Sequence, residues 1–173
     1  MEDTLVILVD KNDNPLGTME KMEAHRKALL HRAVSVFIVN TKGDWLLQQR
    51  AHDKYHSGCL WTNACCTHPY PGESVLEAAR RRLTEEMGIQ CELRELFDFI
   101  YKEKLDNELT EYELDHVFIG YTDALPHVDK QEVAGWKSIP YHELENDVLE
   151  NPSGYTVWFK KVYQKVHHHI LNH

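Results

Sequence analysis

The stretch TNACCTHPYPGESVLEAARRRLTEEMGI, Thr62 to Ile89, changes its period halfway along. Its first part reads as extended chain, in which residues two apart share a face, so Cys66 and His68 point one way and Cys65 the other. Cys65 is then a small buried hydrophobe and Cys66 the candidate reactive thiol. After the Pro71-Gly72 turn, Ser74 is placed to cap a helix, and Val75, Ala79, Leu83 and Met87 recur every four residues as a buried stripe that Gly88 ends. The opposite side carries Arg81, Arg82, Glu85 and Glu86. Their i, i+4 spacing permits ordinary surface ion pairs of ~0.3 to 0.5 kcal/mol.

Outward from this unit, TLVILVD and KNDNPLG predict a strand, a turn and a second strand, and EKMEAHRKALLHRA has helical spacing over residues 20–33. AVSVFIVN, TKGD and WLLQQRA predict a hairpin. CELRELFDFIYKEK and TEYELDHVFIGYT predict two further strands around the polar turn LDNE, and SGYTVWFKKVYQKVHHHILNH predicts a closing helix with a His-rich, exposed tail over about 166–173. Strands flanking a central helix indicate an α/β (α+β) fold, a mixed β-sheet layered between helices. At 173 residues and 42% hydrophobic content, one domain over 1–173 is expected.

The formal charge of −9 argues against general attraction to nucleic acid or anionic lipid. No apolar run approaches the roughly 18 to 20 residues of a membrane span, and MEDTLVILVDKND lacks a secretory signal pattern. Cysteines at 59, 65, 66 and 91 form no CxxC motif, and the vicinal pair cannot easily make an unstrained disulfide, which fits reduced thiols in a cytoplasmic setting. No nucleic-acid or membrane partner is expected.

Three groups of residues carry chemistry. Glu111, Glu113 and Asp115 share one strand face, where like charges repel unless the face is solvated or a cation lies nearby. His25, His31 and His68 are candidates for a common site, but residues six apart do not share a helical face, so if His25 and His31 meet, regular helix must end between them. Lys21, Arg50, Lys54 and Arg80-Arg81-Arg82 offer local positive charge in an acidic chain. Read singly, each of these residues more often belongs to a solvated surface or, for a histidine, to a satisfied core position than to a site.

Taken together, the residues resemble the Nudix signature G-x5-E-x7-R-E-U-x-E-E-x-G-U, in which U is aliphatic. Aligned on Gly88, the chain supplies Glu73, Arg81, Leu83, Glu85, Glu86, Gly88 and Ile89, and departs at Thr67 (Gly in the signature) and Arg82 (Glu). A cation in place of that Glu suggests a diphosphate that is gripped rather than cleaved. With WTNACCTHP, EKMEAH and EYELDH, the chain from about Thr4 to Phe159 resembles the type 1 isopentenyl-diphosphate Δ-isomerases, a branch of the Nudix superfamily. A Nudix hydrolase and a non-catalytic metal-bound binding module are the competing readings.

The resemblance implies reversible conversion of isopentenyl to dimethylallyl diphosphate by proton addition and removal through a tertiary carbocation. It assigns a metal site to His25, His31, His68, Glu111 and Glu113, a set suited to Mn²⁺, Zn²⁺ or Mg²⁺. A second ion, Mg²⁺ held with the diphosphate, falls on Glu86 and the Cys66 carbonyl. Diphosphate contacts fall on Lys21, Arg50, Lys54 and Arg82, and the acid/base roles on Cys66 and Glu113, with Tyr101 beside the Glu. Trp61 is expected to face the carbocation and Trp158 to act as an aromatic lid. The partner is a small isoprenyl diphosphate, and the expected state is a monomer or weak dimer.

Overall fold

A computed structural model describes residues 4–54 and 56–172. The chain starts as a hairpin, β1 (Leu5–Val9) and β2 (Pro15–Glu20), whose turn is held by the Asp10 carboxylate accepting from the backbone N–H groups of Asn12 and Asn14. Helix α1 follows but covers only Lys21–Lys27; Ala28 adopts a left-handed conformation (φ 55°) and β3 (His31–Val39) begins three residues later. The helix expected over 20–33 is thus corrected to half its length. Its local preference loses to sheet pairing, since His31 pairs with both Leu8 and Glu113. The expected break between His25 and His31 is present.

Strands β3 and β4 (Asp44–Arg50) form the expected hairpin, but only Ile38–Leu46 and Val39–Trp45 pair before the two diverge. Each then finds other partners. β4 pairs with β5 (Trp61–Thr62) and along its length with β9 (Val133–Pro140). β3 takes β6 (Cys65–Thr67) and, in parallel from His31 to Val39, β8 (Thr110–Tyr121), which pairs antiparallel with β7 (Leu93–Lys104).

Alternation along the strands builds one core on each face. Val34, Val36, Ile38, Leu46 and Phe118 pack with Cys65 against Ala79, Leu83 and Met87 of α2 (Val75–Met87). Phe37, Val39, Trp45, Leu47, Val117 and Ile119 pack against α3 (Tyr141–Glu150) and α4 (Val157–Leu171). Helix α2 starts as its sequence requires, with Ser74 and Glu77 forming a reciprocal capping box. It ends at Gly88, whose φ is 65° and where an added Cβ would lie 2.8 Å from the His127 carbonyl oxygen. Strand β9 and helix α3 carry no clear sequence signal. The His-rich tail expected at about 166–173 is instead the last turns of α4 through Leu171: Val166 is fully buried and His167 stacks on Tyr141 at 3.5 Å.

Candidate active site

The site lies on the odd-numbered face of β3 and β8. Phe37, Val39, Val117 and Ile119 take the end of that face covered by α4, and His31, Ser35, Glu113 and Asp115 take the other. Cys66 is placed opposite Ser35 by the β3–β6 pairing, and Tyr101 opposite Glu113 by the β7–β8 pairing. The apolar half therefore fixes a register that holds the polar half in place. Of these residues, Ser35, Cys66, Tyr101 and Glu113 line a cavity of ≈ 960 Å³.

Glu111 and Glu113, both buried, are bridged by Tyr101, whose hydroxyl lies 2.6 Å from Glu111 and 2.9 Å from Glu113. His68 Nε2 lies 2.9 Å and His31 Nε2 3.3 Å from Glu113 Oε2; His25 Nε2 lies 3.9 Å from Glu111 Oε2. Burial pushes the Glu113 carboxyl up, but hydrogen bonds from His31 and His68 outweigh it and hold the group well below the usual carboxylate range. Glu111 is likewise lowered, as His25 and His56 outweigh burial and Glu113. Burial brings His68 down to about 4, leaving a neutral ring near pH 7.

The ring orientations suit a divalent cation. His25 Nδ1 lies 2.8 Å from the Lys21 carbonyl and His31 Nδ1 2.8 Å from the Leu29 carbonyl. A carbonyl can only accept, so Nδ1 of each ring carries a proton; Nε2 donates to the carboxylates as the site stands and, on losing that proton, would offer its lone pair to a cation held between them. Nitrogen–oxygen separations of 2.9 and 3.3 Å at Glu113 approach the edge of about 3 Å that adjacent ligands span around an ion with bonds of about 2.1 Å. His25, His31, His68, Glu111 and Glu113 could therefore hold a divalent ion.

Cys66 Sγ lies 3.6 Å from Ser35 Oγ and 3.4 Å from Asn63 Nδ2. Burial, with Asp115 nearby, pushes its thiol up to about 12, so it keeps its proton at neutral pH. Asp115 accepts from Ser35 Oγ at 2.7 Å; burial and the charge of Glu113 push its carboxyl well above the usual range. Cys65 sits in the core against α2, so the pair divides between the two faces as alternation requires.

Lys21, Arg50, Lys54 and Arg82 line the same cavity. Burial, then the charges of Lys54 and Arg82, lower the Lys21 ammonium. Arg82 pairs with Glu86 at 2.5 Å and with Glu132 at 2.8 Å, and Glu132 also accepts from Lys54. Glu86 is buried and accepts from Gln48 at 2.9 Å. Arg81 instead turns back to Glu73, pairing at 2.8 and 3.0 Å and stacking on Tyr70, which ties the loop before α2 to the helix. The expected i, i+4 contact to Glu85 is present at 3.3 Å.

Trp158 is buried in the cavity wall, with the Arg50 guanidinium 5.2 Å from its ring centre. Trp61 does not line the cavity. On β5, neighbouring Thr62 lines it instead, and the Trp61 ring packs at the edge of the core under α4 with Lys137 Nζ 4.3 Å from its centre. Sequence reasoning also missed Glu132, which lies just before the unread β9, and His56, whose Nε2 lies 3.2 Å from Glu111 Oε2. Only the position of His56 in the loop after Lys54, among twelve histidines, marked it.

The chain is similar in sequence and fold to known proteins. The NUDIX domain family fits residues 29–160, and the chain belongs to that family. It is 48% identical over 163 residues to the isopentenyl-diphosphate Delta-isomerase of Pectobacterium atrosepticum, covering 94% of this chain and 91% of that one. It is 49% identical over 160 residues to isopentenyl-diphosphate Delta-isomerase 2 of Photorhabdus laumondii, covering 92% and 90%. These relatives place it, within the NUDIX family, among the isopentenyl-diphosphate Delta-isomerases. The fold alone is shared with a crystal structure from Deinococcus radiodurans (TM-score 0.76, 20% identity, 92% of this chain and 98% of that one) and with the MutT protein of Methanosarcina mazei (0.65, 20%, 79% and 91%).

Proposed function

We propose that the chain interconverts isopentenyl and dimethylallyl diphosphate. The observation that carries this reading is one cavity lined both by Cys66, Glu113 and Tyr101 and by the cations Lys21, Arg50, Lys54 and Arg82. The relatives named as isomerases support it. The cations pair with the diphosphate oxygens and fix the isoprenyl tail. A proton is added to the terminal CH₂ of the alkene, leaving a tertiary cation at the next carbon, and a proton lost from the CH₂ beyond it forms the new double bond.

Cys66 holds a proton at neutral pH and Glu113 is held ionised, so the two can serve as donor and acceptor, exchanging roles in the reverse direction. Tyr101 orients both carboxylates through its hydroxyl. Trp158 offers its ring to the transient cation, a contact worth about 0.5 to 2 kcal/mol, in a cavity that shields it from water. When bound at His25, His31, His68, Glu111 and Glu113, a divalent ion (Mn²⁺, Zn²⁺ or Mg²⁺) supplies positive charge that favours ionised carboxylates; Mg²⁺ at Glu86 and the Cys66 carbonyl would offset the diphosphate charge.

No helix among the described residues is long and apolar enough to cross a membrane. The free thiols Cys59, Cys65, Cys66 and Cys91 fit a reducing cytoplasm. A single domain over 1–173, acting as a monomer or weak dimer, completes the reading.

The test is isopentenyl diphosphate with Mg²⁺ and protein in D₂O. Deuterated dimethylallyl diphosphate is expected from the wild type, with near-total loss in Cys66→Ala and Glu113→Gln. Full activity in Cys66→Ala would remove its role, and phosphate release from nucleotides without isomerisation would favour a hydrolase.

A further inference from the structure

We propose that His56 is a sixth protein ligand of the divalent cation at the histidine–glutamate site, an inference that rests on the metal site proposed above. His56 lies in the loop between β4 and β5 and is 2% exposed. Its Nε2 is 3.2 Å from Glu111 Oε2, and His25, His56 and Glu111 place one donor atom each within 4.8 Å of one another. On the other side of His25, the same holds for His25, His31, His68 and Glu113. His25 belongs to both groups and joins them, so a small inward shift of His56 and Glu111 toward His31, His68 and Glu113 would bring four imidazoles and two carboxylates onto one ion.

His56 is held as the other rings are. Its Nδ1 is 3.0 Å from Ser57 Oγ, as Nδ1 of His25 and His31 each meets a backbone carbonyl, and this leaves Nε2 directed at the carboxylates. The loop is fixed from behind by Arg50, which donates to the carbonyls of His56 (3.0 Å) and Ser57 (3.1 Å). Trp158 meets the His56 ring edge-on at 5.8 Å. Gly58 lets this loop close, because a Cβ there would lie 2.6 Å from the His52 carbonyl oxygen.

Six protein donors would suffice for an octahedral ion, and a fourth imidazole would move preference from Mg²⁺ toward ions that favour nitrogen, such as Co²⁺ and Zn²⁺. The experiment measures Co²⁺, Zn²⁺ and Mg²⁺ affinities of chelator-stripped full-length protein by competition, for the wild type, His56→Ala and His56→Gln. Circular dichroism and melting of the metal-free proteins check folding. In the Co²⁺ form, paramagnetically shifted imidazole N–H signals count the bound rings.

The expected result is Co²⁺ and Zn²⁺ affinity at least tenfold weaker in both variants, Mg²⁺ affinity changed by less than threefold, and four shifted imidazole signals falling to three. Equal Co²⁺ affinity in wild type and His56→Ala, or three signals in the wild type, would overturn the inference. Rescue of Co²⁺ binding by His56→Gln would overturn it too, since a side-chain donor to Glu111 would then suffice. A wild type that binds no divalent ion would instead overturn the metal site itself.

Discussion

If Lys54 and Arg82 bind the diphosphate as proposed, Glu132 should set a measurable cost on that binding. It is a carboxylate shared by two of the cations proposed to bind the substrate, accepting from Lys54 and, at 2.8 Å, from Arg82. A diphosphate must displace it. Charge-assisted contacts are worth about 1.5 to 3 kcal/mol each when well buried, but the Glu132 side chain is 32% exposed, and exposed pairs fall below about 1 kcal/mol. Losing two such contacts therefore costs about 1 to 2 kcal/mol in all. Glu132→Gln keeps the size and one acceptor but removes the competing charge. Inorganic pyrophosphate, titrated calorimetrically at fixed Mg²⁺, should bind the variant about 5 to 30 times more tightly. The gain should shrink as salt is raised. Unchanged or weaker binding would refute the reasoning and show that Glu132 helps to hold the ligand.

The buried acid Asp115 should leave a mark on pH dependence. The folded protein keeps a proton on it that the unfolded chain releases near 3.8, so its contribution is present at low pH and lost as pH rises above about 4 toward the elevated folded value. The slope is up to about 1.4 kcal/mol per pH unit. In Asp115→Asn, melting in chelator should gain on the wild type as pH rises above about 5; parallel curves would contradict this. Cys65→Ser puts a hydroxyl into the apolar core against α2 and should cost about 1 to 3 kcal/mol in urea unfolding while kcat stays within about twofold.

The α2 unit was legible because its signals are local: a cap, a four-residue stripe and a terminal glycine act within one helix. The alternation of Glu111, Glu113 and Asp115 was legible because a strand gives each side chain one of two faces. What the sequence hid depends on distant partners. The end of α1 at Ala28 follows from His31 being drawn into pairs with Leu8 and Glu113. Arg81 meets Glu73 because the chain before α2 folds back, a contact that helical spacing alone does not suggest. His56 and Glu132 sit in loops with no period to read, and their roles appear only once the loops close over the cavity.

The parallel seam between β3 and β8 also governs when the site can exist. Ser35 and Asp115 meet across 80 residues of chain, and His31 reaches Glu113 through the same pairing. Closing so long a loop comes at a large entropic cost before its contacts repay it. Helix α2 and the β1–β2 hairpin, which need only neighbours, can form without it. During refolding, helical signal should therefore return before the thiol and the carboxylates share a cavity, and regained catalysis would serve as a clock for this last long-range closure.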